Sequence, residues 1–123
     1  MKRLLPLAAL LIAGFAGAAS AATVRIVAPW RAGQYEGSVV AVRGLAEIRQ
    51  DTSLLGTEVR IVNAQGRQIF MGFIPRLHEH AFPGVLAFNG REVVMYGVIE
   101  MYHSSPATQL LYRDQLRPWP PVR

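Results

Sequence analysis

The sequence contains no cysteine. Disulfides, thiolate metal sites and a lipid-anchored lipoprotein amino terminus are therefore excluded. Lysine occurs once, at Lys2, so beyond Arg3 every Lys or Arg position is arginine, and these are spread from Arg25 to Arg123 without any run. The formal net charge is +5, and removing Lys2 and Arg3 leaves +3. That balance implies weak attraction to polyanions, with no dedicated basic patch. Aspartate is also scarce, at Asp51 and Asp114 only, so there is no aspartate cluster of the kind that holds a calcium ion. Finally, no apolar run is long enough to span a bilayer.

What is present begins with an export signal. Lys2 and Arg3 supply a positive start, Leu4 to Ala18 an apolar run, and Ala19-Ser20-Ala21 the small-residue pattern that a signal peptidase accepts. Cleavage after residue 21 or 22 leaves about 100 residues, one small domain able to bury one core. This places the product in the periplasm or outside the cell, with no stable membrane insertion once the signal is removed.

The mature chain reads as strands and turns. Residues 23–36, "TVRIVAPWRAGQYE" followed by Gly37, hold one short extended piece and then Pro29, Trp30 and Gly33, an arm or edge strand. From Gly37, "GSVVAVRGLAEI" sets Val40, Val42, Gly44, Ala46 and Ile48 on one side at period two. "TEVRIV" alternates Val59 and Ile61 against Glu58 and Arg60; "NAQG" is a hairpin turn and "RQIFMGFI" its partner strand. Pro83-Gly84 interrupts residues 76–90, which become a short helix or an irregular connection. "REVVMYGVIEMY" and "ATQLLYRDQL" are two further strands joined by the His103–Pro106 turn, and the proline-rich tail over 118–123 should be extended.

Two of these strands match position by position. Gly37, Val40, Val42, Gly44, Glu47 and Ile48 correspond to Gly90, Val93, Met95, Gly97, Glu100 and Met101. Both put a glycine in the inward register, where it permits the sharp coiling that a closed sheet requires. Matched interior glycines suggest a small barrel whose first and fourth strands are neighbours.

Five strands with a helix or loop between the third and fourth is the order of an OB-fold. The run from Gly90 through Gly97 to Tyr102, then Pro106, then Asp114-Gln115-Leu116, resembles the last two strands of small bacterial OB-fold domains of the anticodon-binding-like and exported kinds. The resemblance covers residues 37–116 and is strongest from Gly90. It implies an all-β, five-stranded Greek-key barrel over residues 37–117. It also implies partners of the kind that such domains take: single-stranded nucleic acid or tRNA for some, envelope-stress or ligand-binding roles for exported ones. This chain departs from the pattern at Ala107-Thr108-Gln109, where apolar residues are usual, and in the compressed Arg113–Leu116 closing motif.

Candidate chemistry is thin. His78-Glu79-His80, with His103, has the donor types of a metal site, but i and i+2 share a face only on a strand, so a solvated polar turn is the expectation. Glu47 and Glu100 occupy equivalent repeat positions and, if close, would form a carboxylate pair; pairing with Arg43 or Arg49 is the expectation instead. His103-Ser104-Ser105 is a turn and not a triad. A secreted OB-fold nuclease needs the missing aspartate cluster and a longer chain. The expectation is a non-enzymatic protein with no cofactor and no metal.

Binding fares better. OB-folds bind through aromatics and arginines on the second and third strands. Counting by two puts Arg60, Val62, Gln68 and Phe70 outward, with Arg67 in the turn and Tyr96 and Tyr102 adding stacking area. The ligand-binding expectation is therefore Arg60, Arg67, Phe70 and Tyr96, with single-stranded nucleic acid, an oligosaccharide or a small anion as ligand. The other reading is an envelope interaction module that docks a protein through the Trp30 arm and an exposed Trp119 tail.

Overall fold

The computed structural model describes residues 24–50 and 55–121. The expected export signal over residues 1–22 lies outside them. The described chain is mostly β: β1 (Ile26–Val27), β2 (Val39–Arg49), β3 (Gly56–Val62), β4 (Gln68–Pro75), β5 (Glu92–Val98), β6 (Glu100–Tyr102), β7 (Ser105–Gln109) and β8 (Leu116–Pro118). They form one sheet in the order β6-β7-β4-β3-β2-β5-β8, with β1 alongside β2. β4 pairs with β7 in parallel, and β2 pairs antiparallel with both β3 and β5. This order is compatible with the OB-type arrangement that the sequence suggests. As a hydrogen-bonded path it is open, with β6 and β8 at its ends, although the chain passes from β5 to β6 across Ile99 alone.

The internal repeat has a geometric meaning. β2 and β5 pair so that Val40 faces Gly97, Val42 faces Met95 and Gly44 faces Val93. The repeat exchanges the first and third of these pairs and maps Val42–Met95 onto itself, so the two strands are related by a local pseudo-two-fold axis between Val42 and Met95. The hydrogen bonds at the two ends obey it. Gly37 N–H donates to the Ile99 carbonyl at 2.8 Å, as Gly90 N–H donates to Ala46 at 2.8 Å. The return bonds match too: Ile99 N–H to Ser38 at 3.0 Å and Ala46 N–H to Arg91 at 2.9 Å. Gly37 and Gly90 open their strands at φ of 85° and 80°, where any Cβ would be strained.

Gly44 and Gly97 serve close approach. A Cβ on Gly44 would overlap Ile61 Cγ2 and lie 3.5 Å from Pro29 Cγ. One on Gly97 would overlap Thr108 Oγ1 and stand 2.9 Å from Gln115 Nε2. Gly97 therefore sits where β5 passes β7. That passage is laced by side chains. The Thr108 hydroxyl donates to the Val98 carbonyl at 2.8 Å. Gln115 Nε2 donates to the carbonyls of Tyr96 and Gln109 at 3.0 and 2.9 Å, while its Oε1 accepts from Leu111 N–H and Tyr112 N–H at 2.7 and 2.9 Å.

Those bonds also explain a difference from expectation. The last strand was expected to run through residues 107–116, but β7 stops at Gln109. Leu110 N–H still donates to the Phe73 carbonyl, but those of Leu111 and Tyr112 are taken by Gln115, and a 3₁₀ turn over Arg113–Gln115 redirects the chain into β8. Residues 76–88 form two 3₁₀ segments, Arg76–Ala81 and Val85–Phe88, divided at Pro83-Gly84 as expected. Phe82 and Val85 join the core with Val42, Ile61, Phe70 and Met95.

The arm and tail are more integrated than the sequence suggests. β1 runs parallel to β2 beside Ala41 and Val42, and the 3₁₀ segment Pro29–Tyr35 buries Pro29 and Ala32. β8 runs antiparallel to β5 beside Val93–Met95. Under the pseudo-two-fold, Ala41 and Val42 correspond to Val94 and Met95. The two ends of the described chain thus flank the repeat at matching places.

Candidate ligand-binding face

The hairpin between β3 and β4 was expected to display Phe70. It does not: Phe70 is 0% exposed and belongs to the core. The cause is a β-bulge. Val62 pairs with Gln68 while Ile61 pairs with Phe70, leaving Ile69 as the extra residue. One added residue inverts the side-chain parity, so Gln68 stays outward and Phe70 turns inward. Trp30, in the preceding arm, is 75% exposed.

The expected arginines are also poorly placed. Half-buried Arg60 donates through Nε to Gln68 Oε1 at 2.7 Å and through Nη1 to Glu47 Oε1 at 3.2 Å, so its guanidinium is occupied. Arg67 is exposed at the end of the turn. There its N–H, like that of Gln65, donates to Asn63 Oδ1, at 3.0 and 2.9 Å. Tyr96 lies on β5 opposite Ala41, away from this hairpin. Arg60, Arg67, Phe70 and Tyr96 do not form one patch.

A different surface gathers arginines and aromatics: the outer face of β2, β5 and β8. The registers align Arg43, Val94 and Arg117 in one cross-strand row. Ala41 and Tyr96 make the row on one side, and Leu45 and Glu92 the row on the other. Trp119 follows β8 and is anchored beside Glu92, its N–H donating to the Glu92 carbonyl at 3.0 Å. The Arg43 guanidinium lies over the Trp119 ring at 4.6 Å from its centroid, and Arg117 lies over Tyr96 at 5.8 Å. Ala41 and Val94 are buried beneath, although they point away from the core.

The electrostatics of this face are balanced but loosely tied. Arg43 Nε donates to Glu92 Oε2 at 3.0 Å, leaving its terminal nitrogens for other partners. Arg117 is held by a 3.9 Å contact to Asp114 Oδ1 and a 3.3 Å bond from its Nε to the Asp114 carbonyl. Exposed pairs at such distances contribute little. The Tyr96 hydroxyl is buried and has no hydrogen-bond partner among the described residues. Burial pushes its pKa above 10.0; the nearby Arg117 pulls it down and Asp114 raises it. It is a neutral donor with nothing to donate to.

The tail was expected to stand free with Trp119 exposed. Instead Trp119 is half-buried under Arg43, and of the described residues after it Pro120 and Pro121 are exposed. The signal for this was available in principle, since "RPW" repeats the alternation of an outward arginine and aromatic. The proline content masked it.

Among the other candidate residues, Glu79 accepts from the buried Thr57 hydroxyl at 2.9 Å, and Gln50 reaches the same hydroxyl at 3.3 Å. The His78 and His80 rings stack at 6.5 Å. Among the described residues no three of His, Asp and Glu converge as metal ligands. Glu47 bonds Arg60, and the antiparallel register sets Glu47 and Glu100 toward opposite ends of the β2–β5 pair. His103 and Ser104, at φ of 51° and 67°, form the two-residue turn between β6 and β7. No helix among the described residues is long and apolar enough to cross a membrane.

No protein family matches the sequence, and no curated protein does. Among solved structures it is similar to the OBody AM3L15 bound to hen egg-white lysozyme, at 17% identity and TM-score 0.49, over 72% of this chain and 87% of that one. A second OBody bound to hen egg-white lysozyme, AM1L10, is similar at 15% identity and TM-score 0.48, over 72% and 85%. The third is described as a candidate nucleic acid-binding lipoprotein from Klebsiella pneumoniae, at 18% identity and TM-score 0.49, over 76% and 93%. None of these similarities is close enough to assign a family.

Proposed function

We propose that the protein is an exported, non-enzymatic binding module that presents its ligand on the outer face of β2, β5 and β8. The module is a five-stranded Greek-key barrel of OB type, with β5 and β6 counted as one strand bent at Ile99. The lacing of β5 to β7 by Thr108 and Gln115 supports that reading.

One observation carries the choice of face. Arg43 on Trp119 and Arg117 on Tyr96 form two pre-organised guanidinium–aromatic stacks on either side of Val94, outside the core. Arginine, tryptophan and tyrosine are the residue types that dominate recognition surfaces. On the β3–β4 face, by contrast, the aromatic is internal and Arg60 is less exposed and bonded to both Gln68 and Glu47, whereas Arg43 is exposed and bonds Glu92 through Nε alone. Binding of the purified protein to an array of oligosaccharides and oligonucleotides, compared across two double variants, tests the assignment. Arg43→Gln with Arg117→Gln should abolish the hits, and Arg60→Gln with Arg67→Gln should leave them. The reverse pattern would move the site back to the β3–β4 hairpin.

A second reading keeps one specific support. Trp30 is 75% exposed on a 3₁₀ segment whose Pro29 and Ala32 are buried, so a rigid support presents a large aromatic to solvent. That favours docking of an envelope protein through the arm. The tail no longer contributes to it.

A further inference from the structure

We infer that the ligand of the β2–β5–β8 face is an anionic polysaccharide whose oxyanions bridge Arg43 and Arg117 and accept a hydrogen bond from the Tyr96 hydroxyl. This rests on the face proposed above and names the chemistry it takes.

The spacing comes first. Arg43 and Arg117 stand in one row two strands apart, about 10 Å at the backbone, and both project outward. A polymer carrying an oxyanion at intervals along its chain can meet both, whereas a single small anion meets one. Each guanidinium is steadied by an aromatic ring, which lowers the ordering cost of gripping a carboxylate or sulfate.

The orphan hydroxyl comes second. A buried Tyr96 hydroxyl without a partner is costly to leave unmade and gains from any acceptor brought to it. Arg117, the residue stacked over Tyr96, is the one that can yield. Its side chain is 50% exposed and its ties to Asp114 are long. A small slide of the Arg117 guanidinium along the Tyr96 ring, with the stack kept, opens the hydroxyl to the oxyanion that Arg117 holds.

The choice of polysaccharide over nucleic acid follows from the rings. Bases bind single-strand platforms by stacking on open aromatic faces. Here a guanidinium already lies over both rings, and the aromatic expected on the β3–β4 face is in the core. What this surface offers is oxyanion contact.

The test is a titration of the full mature chain with polygalacturonate, dextran sulfate, neutral dextran and a dT oligonucleotide, each at two salt concentrations. The inference expects salt-sensitive binding of one or both acidic polysaccharides and none of neutral dextran. It expects loss of that binding in Arg43→Gln with Arg117→Gln, and affinity weakened about threefold or more in Tyr96→Phe. Tyr96→Phe removes one oxygen from a well-packed ring, so it remains informative if the arginine variants fold poorly. A difference between polygalacturonate and dextran sulfate identifies the oxyanion. Tighter binding of the oligonucleotide, lost in the same variants, would overturn the polysaccharide and leave the face. Equal, salt-insensitive binding of neutral dextran, also lost in those variants, would overturn the oxyanion chemistry alone. Absence of binding to all four polymers, or binding unaffected by every variant, overturns both inference and face.

Discussion

Gly97→Ala is the sharpest perturbation that the structure offers. The added methyl would fall on Thr108 Oγ1 and within 2.9 Å of Gln115 Nε2. Neither neighbour can retreat freely. Thr108 is buried and holds the Val98 carbonyl, and Gln115 ties four backbone groups at once. Displacing Thr108 loses one hydrogen bond and strands a buried hydroxyl and a carbonyl, which together cost about 2–4 kcal/mol. For a domain of this size the melting temperature should fall on the order of 10–25 °C. Thermal unfolding followed by circular dichroism measures the loss. The cause can be checked separately, because Thr108→Ala removes the atom that the methyl meets. The double variant Gly97→Ala with Thr108→Ala should therefore be more stable than the sum of the single costs predicts. An unchanged melting temperature in Gly97→Ala would refute the account of the β5–β7 passage, and strict additivity would refute the assignment to Thr108.

Four further outcomes are expected. Gly37→Ala and Gly90→Ala meet no neighbouring atom but must adopt positive φ, so each should cost about 1–2 kcal/mol in urea titrations, and by the pseudo-two-fold the two costs should agree. Phe70→Ala should destabilise by about 3–5 kcal/mol, measured by chemical denaturation, whereas a ligand-facing Phe70 would leave stability nearly unchanged. Tyr96→Phe should leave stability at neutral pH unchanged or raise it by up to about 1 kcal/mol, since the hydroxyl lost has no partner. The same variant should alter the alkaline limb of stability. Tyr96 keeps its proton in the folded chain to higher pH than in the unfolded one, so above pH 10 the unfolded chain binds fewer protons and stability falls. Melting temperature against pH should fall less steeply there in Tyr96→Phe than in the parent.

The strand pattern was legible where alternation was unbroken. Val40, Val42 and Ala46 on β2, and Val59 and Ile61 on β3, face inward as period two requires. The candidate site was not legible, for two local reasons. The bulge at Ile69 inverts the parity of everything after it, and no residue type in "GRQIFM" marks its position. The tail "LRPWPP" reads as extended and solvent-bound from its prolines, yet Pro118 sits at the end of a short edge strand, where a missing N–H is tolerated. Long-range pairing decided both, and a single-strand pattern does not contain it.

The repeat separates what builds the fold from what the surface can do. Positions inside the β2–β5 pair are conserved in kind under the pseudo-two-fold: valine with valine, valine with methionine, glycine with glycine. Outside, Ala41 corresponds to Val94, but Arg43 corresponds to Tyr96, so the outer face has symmetric backbone and asymmetric chemistry. The flanking strands widen the difference. β1 brings Ile26 beside Ala41, while β8 brings Arg117 beside Val94 and leads into Trp119. Both guanidinium–aromatic stacks thus include a β8-side residue, Trp119 for Arg43 and Arg117 for Tyr96. Ending the chain at Leu116, which stays in the core beside Met95, should then dismantle the face while sparing the glycine-matched pair beneath it. The site depends on where the repeat is broken, and the C-terminal strand supplies half of it.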